Sequence, residues 1–300
     1  MKHTQARIVA APALLDSSLA DIPDGFAPLW LHHHRLGAIS PAWLPRLDPT
    51  LFDIRDMGSH VQVHLVTTRR HTPGPAPLPS LDERLQAWAG QLHARGQMPG
   101  WRGEQVEIFG PDPSAPLFCI ERGLLRPLGL LLRTVQLNVH TWAAGRLMVW
   151  AARRAPHKAV DPNLLDSLVA GGIARGETPL DALLREAAEE AALPVRLSRQ
   201  AVPSAIMDSS SLDHENGAPV LHRERMHVFD VQVPPDYVPS HPDGESSGSA
   251  LLSPEQVLAL VRIGHWTREG AWASVNLVHR YHTGSLRPRR PPHATTPRKA

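Results

Sequence analysis

The sequence has one cysteine, Cys119, in 300 residues. A single thiol excludes an internal disulfide and a four-cysteine zinc site, and it fits a reducing compartment. No apolar run approaches the roughly 20 residues that a membrane-spanning helix needs. The opening stretch MKHTQARIVAAPALLDSS carries a short apolar patch, but Pro12 and Asp16 interrupt it, which argues against a secretory leader. A cytoplasmic protein without a membrane partner is expected. Excess charge of either sign is lacking too: 31 Lys and Arg against 29 Asp and Glu leave +2 with His neutral. Basic residues concentrate only in RPRRPPHATTPRK, which reads as a disordered, solvated tail over 286–300 rather than a nucleic-acid-binding arm. Internal repeats are absent as well.

What is present describes an ordinary globular chain, with 42% hydrophobic and 20% charged residues, long enough for two domains. PSLDERLQAWAGQLHARG reads as a helix. Ser80 and Glu83 form a capping box, Leu81, Leu85, Trp88 and Leu92 make one apolar stripe, and Gly96 stands at the end. HTPGPAPLPS before it is a proline-rich loop, and VQVHLVTT alternates like a strand. His32, His33 and His34 suggest a metal site at first, but adjacent side chains diverge on a strand or a helix, so a structural or surface role is expected. Farther on, RLMVWAARR and ERMHVFDVQV read as strands. SPEQVLALVRIG reads as a helix capped by Ser253, and TREGAWASVNLVHRYH as another. Strands interleaved with helices predict a mixed α/β layer fold, with a domain boundary near residue 130. Arg153, Arg154 and Lys158 follow a strand; they are candidate contacts for a phosphate, or a loop's solvated charges. Trp30, His34 and Trp142 could wall a flat heterocycle, with core burial the competing reading for the tryptophans.

The most informative stretch is GGIARGETPLDALLREAAEEAALP, Gly171 to Pro194. Thr178 suits a helix N-cap, Pro179 the first helical position and Asp181 the positive end of the dipole. The helix is expected to run to about Ala192, with Leu180, Leu183, Leu184 and Ala188 supplying apolar contacts. At 3.6 residues per turn, Glu186 and Glu190 lie about 40° apart and Glu189 about 60° to the other side of Glu186, so all three carboxylates share one face. Arg185, four residues before Glu189, can reach its carboxylate. Like charges at this spacing repel by a few tenths of a kcal/mol per pair, roughly, on a solvated helix. A polar outer face could carry that cost, but a divalent cation explains the crowding: hard Mg²⁺ or Mn²⁺ takes oxygen ligands and is shared with substrate phosphates.

The stretch resembles the Nudix box, with Gly171, Glu177, Arg185, Glu186, Ala187, Glu189, Glu190, Ala192 and Leu193 at its positions. Ala187 is small for the aliphatic position, and Ala192 replaces the usual glycine at the helix end. VWAARRAPHK, DPNLLDSLVAGGIARGE, GFAPLWLHHHRLGAISP, PGWRGEQVEIFG and ERGLLRPLGLLLRTVQLNVHTW are similar to the Nudix branch related to fungal thiamine pyrophosphokinase proteins. The resemblance implies a Nudix α/β/α sandwich with a mixed sheet over 130–285, preceded by a smaller α+β domain over 23–129 and an N-terminal segment over 1–22. It implies metal-dependent hydrolysis of the diphosphate of thiamine diphosphate or its oxidised analogues to the monophosphate. Glu186, Glu189 and Glu190 would ligate Mg²⁺ or Mn²⁺ with a backbone carbonyl near Ala170, Glu177 and Arg185 would brace them, and Glu189 is the first choice as base. A later loop, HPDGESSGS, offers Glu245 as a further acid, although Ser247 stands where the branch tends to carry a second glutamate; a plain Asp-Gly turn is the alternative. ADP-ribose, a nucleotide sugar or an oxidised nucleotide could replace the thiamine substrate, and a non-catalytic Nudix-fold binding module is the reading from another class. A homodimer is left open.

Overall fold

The structure is a computed structural model that describes residues 22–67, 79–98, 100–158 and 160–288. The expected N-terminal segment, nearly all of the proline-rich loop and most of the basic tail lie outside the described residues.

Four short strands come first: β1 (Ala27–Leu31), β2 (His34–Ile39), β3 (Phe52–Asp56) and β4 (Val61–Leu65), in the order β2-β1-β4-β3. β1 and β4 run parallel, and the other neighbours antiparallel. Helix α1 (Leu81–Ala94) begins as its sequence dictates. The Glu83 N–H donates to Ser80 Oγ at 3.2 Å, and the Glu83 carboxylate accepts from the Ser80 N–H at 2.7 Å. It buries Leu85, Trp88, Ala89 and Leu92, with Trp88 edge-on to Phe52, and Gly96 turns the chain with φ +65. The hairpin β5 (Gln105–Phe109) and β6 (Pro116–Glu121) follows. His32 has φ +54 and turns the chain between β1 and β2, while the rings of His33 and His34 sit 3.8 Å apart.

The remaining strands are β7 (Leu131–Ala143), β8 (Arg146–Arg154), β9 (Leu165–Ser167), β10 (Val169–Gly172), β11 (Val202–Glu215), β12 (Ala218–Gln232) and β13 (Ser246–Leu252). They form a sheet ordered β11-β12-β7-β8-β13, with β10 on β7 and β9 on β8. β8 lies antiparallel to both β7 and β13 and buries Leu147, Val149 and Ala151 between them. The helices are α2 (Pro179–Ala191), α3 (Val195–Ser198), α4 (Pro254–Arg262) and α5 (Arg268–His282). Ser253 caps α4 through a capping box with Gln256, and Thr267 caps α5 by accepting from the Gly270 N–H. Thr267 Oγ1 also donates to Asp166 in β9 at 2.9 Å. A Cβ at Gly270 would lie 2.5 Å from the Asp166 carboxylate and 2.9 Å from its Cα, so α5 meets β9 at a distance only glycine permits.

Contacts divide the chain into two compact units. One holds the described residues up to Thr134 with Gly172–Thr178 and Ile206–Met226; the other holds Val135–Gly171, Pro179–Ala205 and the described residues from His227 onward. The sequence suggested one cut near 130. The chain crosses between units at Thr134/Val135 and at four later points.

Two details of α2 differ from expectation. Its buried residues are Ala182, Leu183, Ala187 and Ala191, whereas Leu180 is exposed, Leu184 only partly buried and Ala188 exposed. Small side chains line the packed face, which lets the helix axis approach its support closely; that explains an alanine at position 187. At the far end, Ala192 adopts φ +44, and the Leu193 N–H closes back on the Ala187 carbonyl at 2.9 Å. The turn therefore keeps the left-handed geometry that a glycine takes without strain. Because Ala192 is exposed, Ala192→Gly loses no packing. It is expected to stabilise the protein by about 0.5–1 kcal/mol, read as a rise of about 1–3 °C in the melting midpoint.

Candidate metal centre

The site is built where β10 hands the chain to α2. Gly171 and Gly172 finish the strand, and the turn before α2 falls at Gly176 with φ +80. Gly171 is needed for another reason. A Cβ there would sit 2.0 Å from both Cδ and Oε1 of Glu186, so the Glu186 carboxylate lies directly against the strand backbone. Arg185 Nη1 donates to Glu186 at 2.7 Å and reaches Glu189 at 3.4 Å. The three helix acids share a face but not an environment: the Glu186 side chain is 13% exposed and that of Glu189 57%. Glu190 lies half-buried, its Oε2 accepting from the Ala170 N–H at 2.8 Å.

The acidic loop before β13 meets the helix here. His241 Nδ1 lies 3.3 Å from the Glu190 carbonyl. Asp243 Oδ1 accepts from the Glu245 N–H at 3.0 Å, and Gly244 takes φ +74, so an Asp-Gly turn forms here. That turn delivers more than solvated acids. Oxygens of Glu190, Asp243 and Glu245 all lie within 4.8 Å of one another. The loop is tied to the segment just after β8, since the Ala155 N–H donates to the Glu245 carbonyl at 2.9 Å, and Lys158 Nζ donates to Glu245 Oε2 at 2.6 Å.

Three acids this close need compensation. Burial first, then the charges of Glu186, Asp166 and Glu245, push the Glu190 carboxyl well above the usual carboxylate range, while the Ala170 N–H pulls it back. A cation bound among them would offset that repulsion and favour the ionised carboxylates. The spacing admits one ion: two oxygens bound to a shared ion at about 2.1–2.5 Å stand at most about 4–5 Å apart, and these three lie within 4.8 Å of one another. The donors are all oxygen, which suits a hard divalent cation and not a thiophilic one.

The other expected residues have definite places. Glu177 Oε2 accepts from the Ala174 N–H at 2.9 Å and so braces the turn before α2. Ala170 contributes the N–H just described. Arg153 is exposed and donates to the Asn163 carbonyl, Arg154 ion-pairs with the buried Asp166 at 3.1 Å, and Lys158 pairs with Glu245. Ser247 Oγ donates to the Arg153 carbonyl at 3.3 Å. Trp142 packs on Tyr281, and Trp30 stacks on His64. Asp243 was not singled out in the sequence. Its signal was available in the same HPDGESSGS loop, where it reads as a turn residue.

Residues 138–270 match the family described as the NUDIX domain. The chain is similar to Nudix hydrolase 24, chloroplastic, of Arabidopsis thaliana, with 26% identity over 245 residues, 80% of this chain and 62% of that protein. It is similar to Nudix hydrolase 20, chloroplastic, of the same plant, with 27% identity over 57% of this chain and 45% of that protein. It thus spans less than two thirds of the length of either. A crystal structure from Deinococcus radiodurans aligns with a TM-score of 0.40 at 25% identity, covering 59% of this chain and 98% of that one. Among the described residues no helix is long and apolar enough to cross a membrane.

Proposed function

We propose that the protein is a metal-dependent diphosphatase that hydrolyses a phosphoanhydride in a small molecule, with thiamine diphosphate or its oxidised analogues as the substrate and the monophosphate as product. The observation that carries the reading is the convergence of Glu190, Asp243 and Glu245 within 4.8 Å beside a Glu186 held against Gly171. The matched NUDIX domain and relatives named Nudix hydrolases support a hydrolase of this type. The choice of substrate rests on the similarity of VWAARR and of the N-terminal stretches to the thiamine-related branch.

In this reading Glu186, Glu189 and Glu190 would hold Mg²⁺ or Mn²⁺ from the helix, and Asp243 and Glu245 would add oxygen donors from the loop. When bound, the ion would neutralise the diphosphate and acidify a water. The chain's own residues do the rest. Arg185 bridges Glu186 and Glu189 and keeps both carboxylates from swinging out. Glu189, the most exposed of the three, is free of packing on its outer side and is positioned to take the proton of an incoming water. Arg153 and Lys158 stand at the β8 end to meet the phosphates, Lys158 by exchanging its Glu245 partner for a phosphoryl oxygen.

A panel of thiamine, nucleotide-sugar and dinucleotide diphosphates, assayed with Mg²⁺ and with Mn²⁺, tests the reading. Release of a monophosphate from thiamine diphosphate or an oxidised analogue is expected. Turnover of ADP-ribose with none of the thiamine compounds would replace the substrate and keep the chemistry. No turnover of any member would leave a binding module.

A further inference from the structure

A second polar cavity lies in the same unit, and none of its lining residues belongs to α2, β10 or the 243–245 loop. It has a volume of about 230 Å³ and is lined by His140, Ser204, Asp230, Arg280, Ser285 and Arg287 among others. These come from β7, β11, β12, α5 and the segment after α5. On its floor Asp230, 3% exposed, accepts from Asn138 Nδ2 at 3.0 Å, Ser204 Oγ at 3.2 Å and Arg280 Nη1 at 2.6 Å.

The network is closed on the acid side and open on the basic side. Both oxygens of Asp230 are engaged, whereas Arg280 commits Nε to Asn276 and Nη1 to Asp230, and its buried Nη2 has no hydrogen-bond partner among the described residues. A guanidinium N–H buried without an acceptor costs on the order of 1–3 kcal/mol. The polar surroundings point to an acceptor from outside the chain. Arg287 adds an exposed second guanidinium, and Ser285 adds a rotatable hydroxyl. With Asp230 already neutralised by Arg280, the lining carries one net positive charge, that of Arg287.

We propose that this cavity binds a phosphate group, as inorganic phosphate or a small phosphomonoester. Donors on α5 and on the segment after it match an oxyanion with oxygens pointing in more than two directions; a carboxylate offers two, in one plane. Size limits the guest. Sites for drug-sized ligands occupy about 300–1,000 Å³, so 230 Å³ excludes a whole nucleotide and admits the phosphate with little attached. The inference stands apart from the diphosphatase reading and survives its failure.

The test uses the full chain in divalent-free buffer with EDTA, so that the acidic centre holds no ion. Inorganic phosphate is titrated against acetate and chloride at matched ionic strength, with the melting midpoint and the ³¹P line width as readouts. The midpoint is expected to rise by about 5 °C at a phosphate concentration roughly a hundredfold above Kd, with little response to acetate. Arg287→Ala should weaken binding about tenfold. Arg280→Lys, which retains a cation for Asp230 but removes the planar Nη2 donor, should abolish it. Glu190→Gln should bind phosphate as the wild type does. Equal responses to phosphate and acetate, no response beyond ionic strength, or an undiminished response in both arginine variants would each overturn the proposal.

Discussion

Replacing Glu190 by Gln is expected to lower turnover on the best diphosphate by about 10²-fold or more, the scale seen when one group that stabilises developing charge is removed. Folding should survive the change. The amide keeps an oxygen to accept the Ala170 N–H, now 2.8 Å from Oε2, and has nearly the same volume. It also deletes the central charge of a cluster whose members sit within 4.8 Å of one another. In divalent-free buffer the variant should therefore melt no lower than the wild type. A large fall in the melting midpoint with a proportionate fall in activity would instead make Glu190 a folding residue. The two measurements belong on the same preparation, because activity alone does not separate the cases.

Gly171→Ala is expected to cost a comparable share of activity without adding or removing a charged group. Its new methyl would lie 2.0 Å from the Glu186 carboxylate. The obstructing atoms are the end of a flexible side chain, so the protein relieves the clash by rotating Glu186 away from the strand, a small loss of stability. That rotation takes away a proposed ligand and breaks its 2.7 Å contact with Arg185. Gly172→Ala is the control: its methyl would meet the Arg122 guanidinium at 3.0 Å, with no acid of the cluster among its nearest atoms. The account predicts turnover reduced at least tenfold for the first substitution and within about twofold for the second, both with circular dichroism spectra like the wild type. Equal losses would mean that any side chain in this strand disturbs the protein generally.

Local chemistry explains which parts of the molecule could be read beforehand. Ser80 and Glu83 specify the start of α1 because both partners of the capping box lie within one turn. RLMVWAARR coincides with β8, and Thr267 marks the start of α5, for the same reason: the determinants are neighbours in sequence. The box spacing likewise puts Arg185 beside Glu186 and Glu189. Long-range placement was not legible. Nothing near Asp243 in the chain says that its carboxylate will meet that of Glu190, 53 residues earlier. The alanine face of α2 was misjudged because leucines look like the natural buried set, and only the packed structure shows that a close approach favours Ala182, Ala187 and Ala191. The role of Gly171 was hidden as well. A glycine before a helix suggests a turn, and the demand it meets, room for Glu186, comes from a residue 15 positions later.

The proposed chemistry depends on a divalent cation bound by acids from α2 and from the loop before β13. The most direct measurement is a Mn²⁺ titration followed by electron paramagnetic resonance on the wild-type chain, Glu190→Gln and Asp243→Asn. The wild type should take up Mn²⁺ in competition with Mg²⁺, Asp243→Asn should bind about 10- to 100-fold more weakly, and Glu190→Gln should bind more weakly still. Mn²⁺ affinity that is the same in all three proteins would contradict it.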